Sequence, residues 1–169
     1  MSILTRDELL NAIKNGRIEL SPKVGEEDIG PASIDLTLGS EVWVFKRVYT
    51  TVPVDPEASA ERDLLERKTV TDHYLLLPGE AIIAQTKEKV KLAPDLCGWL
   101  EGRGRFARLG LDIRIAAGFI QPGVDAQVFF SIANHSPAAL ELYPGTKICQ
   151  LIVQNTLGEA RYTGRYGRR

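Results

Sequence analysis

Turn signals interrupt this chain at short intervals and leave little room for long helices. They read "LGS" at 38–40, "LPGE" at 77–80, "LAPD" at 92–95, "QPGVD" at 121–125, "NHSP" at 134–137 and "YPGT" at 143–146. Pro, Gly, Asn, Asp and Ser each favour turn backbone for their own steric or hydrogen-bonding reason. Between them lie short runs rich in β-branched and aromatic residues: "SIDLTL", "EVWVF", "AIIAQT", "DIRIAA", "AQVFFSIAN" and "KICQLIVQ". "EVWVF" alternates, with Val42 and Val44 opposite Trp43 and Phe45. Many short strands joined by such turns predict a mainly β sandwich, jelly roll or barrel, not a doubly wound sheet.

Only the N-terminus carries a clear helical period. Thr5 and Glu8 have the spacing of a capping box, Leu9, Leu10, Ala12 and Ile13 form an apolar stripe, and Gly16 suits a stop, so a helix is predicted over 5–15. Residues 53–72 are acidic and polar; they read as a long excursion or a short helix around 58–67. The 169 residues suit one domain spanning 1–169, with 158–169 as a C-terminal arm rich in cations.

A net charge of −1 argues against a general nucleic-acid binder. No apolar run reaches membrane-spanning length, and no secretory signal is evident. Cys97 and Cys149 stand far apart in apolar contexts, which suggests buried free thiols and a cytoplasmic location. Two isolated cysteines and two isolated histidines, His73 and His135, do not have metal-ligand spacing, so a zinc site is not expected. His135, in "NHSP", reads as a turn residue.

The stretch "EGRGRFARLGL", 101–111, is less ordinary. Arg103, Arg105 and Arg108 fall within six residues. Arg105 and Arg108 would share one side of a short helical turn, where guanidinium forks suit phosphate oxygens. The plainer alternative is a solvated face paired with Glu101, Asp112 and Asp95; spacing leaves both open.

"WLEGRGRFARLGL" followed by "AAGFIQPG" resembles the dCTP deaminase / dUTPase superfamily, in particular its dCTP deaminase branch. That branch reads Gly-Arg-Ser-Ser-x-Ala-Arg-x-Gly and then Ala-Gly-x-Ile-Asp-Pro-Gly. "GPASIDLTLG" at 30–39, "LLPGEAIIAQTKEKVKLAPDL" and "LYPGTKICQLIV" match in order and spacing. The resemblance implies a mainly β, dUTPase-like distorted jelly roll or barrel (β-clip), with the N-terminal helix and a short helical turn after the Gly-Arg motif. It also implies a homotrimer with sites between subunits. The implied ligand is a deoxynucleoside triphosphate, dCTP or dUTP, with Mg²⁺ on the triphosphate and without zinc. Arg103, Gly104, Arg105 and Arg108 fall in the phosphate-binding segment. Ala117 matches a small residue near the base, and Tyr162, Arg165, Tyr166 and Arg169 match the arm that closes over the phosphates.

Gly104 and Arg105 depart from the pattern, in place of its Ser-Ser, as do Arg165, where it often has Lys, and Arg169, where it has Gln; two further departures bear on catalysis. Ser131 stands where the branch carries the Glu that activates water for attack on C4 of cytosine. Gln121 stands where the superfamily carries the Asp that activates water for attack on phosphorus. A serine hydroxyl is no base near neutral pH without a base beside it, and an amide does not take a proton from water. Asp125 lies six residues before Ser131, about 20 Å along a strand at about 3.3 Å per residue. Asp112 is expected to pair with Arg108 or Arg114, and Glu101 with Arg103. Three readings follow: a dCTP deaminase-like enzyme producing dUTP and ammonia, a catalytically silent relative that binds a nucleotide or a partner, and a dUTP pyrophosphatase.

Overall fold

Alternation in the sequence becomes alternation in burial. The computed structural model describes residues 2–47, 49, 51–52, 64–114 and 118–164. In chain order the elements are α1 (Arg6–Lys14), β1 (Ile18–Ser21), β2 (Ile34–Phe45), β3 (Leu65–Thr69), β4 (Tyr74–Leu76), β5 (Ala81–Leu92) and β6 (Leu96–Gly102). They continue with α2 (Gly104–Ala107), β7 (Leu111–Arg114), β8 (Phe119–Ile120), β9 (Asp125–Asn134), β10 (Leu140–Leu142) and β11 (Lys147–Asn155). On β5, Ile82, Ala84, Thr86, Glu88, Val90 and Leu92 are all buried, while the residues between them face outward. The protein is mainly β, a curled antiparallel sheet forming a half-barrel, as expected.

Seven strands lie in the order β7-β9-β5-β2-β11-β6-β8, with β1 added on β5 and β3 on β2; β4 and β10 form a separate pair. The curl comes from strands that change partners part-way. β2 pairs with β11 through Ile34–Thr37 and with β5 and β3 further on. Register shifts fall between Leu38 and Val42, between Gln85 and Lys89, and between Lys147 and Cys149. Each shift leaves backbone groups without a ladder partner and bends the strand. Buried polar side chains meet those groups. Glu88 accepts from the Thr37 N–H (2.8 Å), and Thr86 accepts from the Val128 N–H (3.1 Å) while donating to the Glu88 carbonyl (2.6 Å). This is why a carboxylate and a hydroxyl sit on the core face of an otherwise apolar strand.

Several expectations need correction. "LGS" is no turn, because β2 runs through it and only shifts register against β5. Leu65–Arg67 are not helical; they belong to β3, which pairs antiparallel with Glu41–Phe45. Residues 58–63 of the suggested helix lie outside the described residues. α1 and Gly16 fall where predicted, but Thr5 makes no side-chain cap. The first turn is docked on the 25–31 loop instead: the Arg6 N–H donates to the Pro31 carbonyl (2.8 Å), and the Arg6 guanidinium reaches the Ile29 and Glu26 carbonyls.

β6 lies closely against β11, in register from Leu96↔Asn155 to Gly102↔Cys149. Gly98 permits this approach, since a Cβ there would lie 2.4 Å from the Ile152 carbonyl oxygen. Gly98→Ala is expected to lower the unfolding free energy by about 1–3 kcal/mol through overpacking, read as a lower urea midpoint; an unchanged midpoint contradicts this packing.

Candidate functional site

β6 leaves the sheet at Gly102 and the chain turns directly into α2. The Phe106 N–H donates to the Arg103 carbonyl (2.9 Å), the Leu109 N–H to Phe106 (2.9 Å) and the Gly110 N–H to Ala107 (3.0 Å). The turn ends at Gly110, where φ is +76° and an added Cβ would lie 2.8 Å from the Ser136 Cβ. The Gly110 carbonyl accepts from the His135 N–H (2.8 Å), which seats the β9–β10 turn against the end of α2. The expected short helical turn after the Gly-Arg motif is therefore present.

Arg103, Gly104, Asp112 and His135 line one cleft of about 420 Å³ with Glu101 and the Gly110 backbone. Arg103 does not pair with Glu101. It forms an ion pair with Asp35 of β2 at 2.8 Å, and its Nη1 also donates to the Lys147 carbonyl at 3.4 Å. Asp35 lies across β11 from Glu101, both in register with Gln150. Of the two carboxylates it is the half-buried one, in a medium where attraction is screened less. The same region holds the ion pair of Lys147 with buried Asp28. Burial, then the Glu88 and Asp35 carboxylates, push the Cys149 thiol up to about 12 against the opposing pull of Arg103.

The other two arginines are arranged differently. Arg105 and Arg108 are exposed and lie outside the lining of the cleft. Arg105 stacks 4.6 Å from the Phe106 ring centroid. Among the described residues neither forms an ion pair. Asp95 does not face them: it pairs with Arg17 at the far end of β6. Asp112 contacts His135, Oδ2 to Nε2, at 3.3 Å. Asp125 pairs with Lys89 at 3.0 Å.

Ser131 sits mid-strand in β9, opposite Ile83 of β5 and Arg114 of β7, on the face away from the core. Phe129 shares that face and packs on Trp43, with centroids 5.1 Å apart. Gln121 is at the other end, exposed, at the start of the β8–β9 turn. The Tyr162 N–H donates to the Pro122 carbonyl (2.9 Å), so Tyr162 and Gln121 share this end. The six residues from Asp125 to Ser131 separate the two ends by about 20 Å of strand. One subunit therefore brings Arg103 and Gly104 together, and Gln121 and Tyr162 together, but does not unite the two groups with Ser131. Ala117, Arg165, Tyr166 and Arg169 lie outside the described residues.

Two parts of this region went unread in the sequence. Asp35 had no signal beyond its charge, since it occupies a regular polar position of the alternating "SIDLTL". The Asp112–His135 contact had none, because it joins residues 23 apart through a turn that Asn134 builds: Asn134 Oδ1 accepts from the Ser136 N–H (2.9 Å), and its Nδ2 donates to the Leu76 and Ala138 carbonyls.

A curled antiparallel sheet with a Gly-Arg turn at the end of β6, next to the sheet edge, is the frame of the site. A family profile described as dCTP deaminase-like matches residues 3–156. The chain belongs to the dCTP deaminase-like family. It is similar to the "dCTP deaminase, dUMP-forming" of Methanobrevibacter smithii, with 34% identity over 158 residues that cover 91% of this chain and 80% of that protein. It is also similar to the dCTP deaminase of Thermomicrobium roseum, with 34% identity over 151 residues, covering 87% and 76%. The crystal structure of 2'-deoxycytidine 5'-triphosphate deaminase from Agrobacterium tumefaciens superposes with a TM-score of 0.72 at 18% identity; the match covers 91% of this chain and 48% of that one. That likeness shows the fold.

Removing the Asp35 carboxylate would leave Arg103 half-buried without its partner. Asp35→Asn is expected to lower stability by about 1.5–3 kcal/mol, the range for a hydrogen bond to a charged group. Thermal and urea unfolding check this; a variant as stable as the parent would show that the pair is incidental.

Proposed function

We propose that the chain binds a deoxypyrimidine nucleoside triphosphate, dCTP or dUTP, and that the reaction it serves is the hydrolytic deamination of dCTP. Water adds its oxygen at C4 of cytosine, ammonia leaves, and dUTP remains. The observation that carries the reading is the pair Arg105 and Arg108, exposed, without a carboxylate partner among the described residues, on a turn anchored by Arg103. Two cations three residues apart repel each other unless an anion lies between them, and triphosphate oxygens meet that need. Arg103 adds a guanidinium already neutralised by Asp35, and Gly104, whose missing Cβ leaves open space, lets a ligand approach the backbone.

The remaining residues of the site follow the family. Ala117 lies near the base, and Tyr162, Arg165, Tyr166 and Arg169 form an arm that closes over the phosphates. Within a subunit Tyr162 is held at the end of β6 remote from α2. Closure from a neighbouring copy, and so a homotrimer with sites between subunits, accounts for that separation. Among the described residues no group of three or more His, Cys, Asp or Glu side chains is placed to hold a metal. In this reading Mg²⁺ arrives on the triphosphate, held by phosphate oxygens and water, and none of the steps described is routed through it. No helix among the described residues is long and apolar enough to cross a membrane, and the cytoplasm, where deoxynucleotides are metabolised, is the proposed location. The dUMP-forming activity in the name of the Methanobrevibacter relative suggests that the product released here is dUMP, with pyrophosphate.

A second reading has its own support. Ser131 and Gln121 are not carboxylates, and losing a general base typically costs about 10²–10⁴-fold in rate. Binding then persists while turnover does not. Titration of the protein with dCTP and dUTP in Mg²⁺, following melting temperature, ammonia and pyrophosphate, separates the two. Ligand at a hundredfold excess over Kd stabilises by about 2.7 kcal/mol, a rise of roughly 5–10 °C for a chain of this size. Arg105→Ala and Arg108→Ala are each expected to weaken binding about 10- to 100-fold, by loss of a charge-assisted hydrogen bond. No shift with either nucleotide would falsify the binding reading; a shift without product favours the silent relative.

A further inference from the structure

Beyond the arginines, the cleft at α2 contains a carboxylate–imidazole pair to which the family pattern gives no role. We propose that His135, oriented by Asp112, is the residue that activates water in this protein, in place of the carboxylate missing at Ser131. The inference rests on the nucleotide reading above.

Three observations carry it. First, His135 Nε2 and Asp112 Oδ2 are 3.3 Å apart, and both side chains line the cleft with Arg103 and Gly104. The pairing selects the tautomer in which Nε2–H donates to the carboxylate and Nδ1 keeps its lone pair. Second, Asp112 shares a face with Ser131. In the β7–β9 ladder Asp112 stands opposite Ala133 and Arg114 opposite Ser131. Asp112 is thus the diagonal neighbour of Ser131, at about 7–8 Å. Asp112 lies one diagonal step from where the family's base would be, and His135 follows the end of β9, four residues on from Ser131. Third, its position is fixed by the backbone. The His135 N–H is bonded to the Gly110 carbonyl, and the turn carrying it is anchored by buried Asn134. By contrast, the other histidine, His73, contacts its sequence neighbour Asp72 and the Tyr143 ring, outside the cleft.

An imidazole held in one tautomer presents a ring-nitrogen lone pair that can take a proton from water. Nδ1 takes one proton from water as the oxygen bonds to C4 of cytosine. That proton passes to the amino nitrogen, the C4–N bond breaks with its electrons on nitrogen, and ammonia departs. The second water proton ends on N3, leaving uracil. Asp112 acts as a positioning residue, holding the ring and stabilising the imidazolium. Among the described residues the ionisable groups that line the cleft with His135 are Glu101 from β6, Arg103 at the start of α2 and Asp112 from β7.

The test compares wild type, His135→Ala, Asp112→Asn and His73→Asn with dCTP and Mg²⁺, reading ammonia release and the dCTP-induced melting shift. His135→Ala is expected to lose about 10²–10⁴-fold in kcat while keeping the melting shift, with partial recovery in added imidazole. Asp112→Asn is expected to lower kcat more than it raises KM. His73→Asn is expected to match wild type. The proposal is overturned if His135→Ala turns over normally, or if wild type binds dCTP and releases no ammonia. A wild type that shows neither shift nor ammonia overturns the nucleotide reading as well.

Discussion

The ion pair between Arg103 and Asp35 ties the sheet to the turn that carries the other cations. Arg103 is the last residue before α2, Asp35 lies on β2, and β11 runs between them. Its Nη1 also reaches the Lys147 carbonyl, at the register shift between β11 and β2. A half-buried guanidinium with two acceptors in fixed strands has few orientations. The direction in which α2 leaves the sheet follows from that restriction, and so do the exposure of Arg105 and Arg108 and the contact of Gly110 with the β9–β10 turn.

Around this pair runs a polar seam that supports the curl. Where β2, β5 and β11 shift register, Glu88 and Thr86 bind the backbone groups the ladders leave over. Lys147 pairs with Asp28 nearby, and burial raises the thiol of Cys149. The charged groups of this seam, Glu88, Asp28 and Lys147, each have a structural partner. The groups left for chemistry are those at the rim: the two exposed arginines, and the histidine–aspartate pair in the cleft.

Much of the fold was legible because burial in antiparallel sheets follows a period of two and turns have their own residue chemistry. The strand containing "AIIAQT" and that of "KICQLIVQ" were found, and the short turn after Gly102 was expected. "LGS" misled because Gly and Ser within a strand mark a register shift as readily as a reversal. β3 was missed because "LERKT" is almost wholly exposed and polar, an added strand without an apolar face. At the site, local spacing located the arginines but assigned Arg103 to the nearest carboxylate in sequence. The true partner comes from β2, and strand order, not spacing, decides that. His135 was read as a turn residue. It does sit in a turn, but Asn134 builds the turn and leaves the imidazole facing the cleft.

The central claim is that Arg103 is anchored to the sheet while Arg105 and Arg108 meet the ligand's phosphates. Nitrogen-detected NMR of the arginine side chains during dCTP titration in Mg²⁺ tests it most directly. The account predicts that the Arg105 and Arg108 guanidinium signals move with ligand, while that of Arg103 stays slowly exchanging and close to its free position. Displacement of Arg103 from Asp35 with Arg105 and Arg108 unmoved, or no response from any of the three, would contradict it.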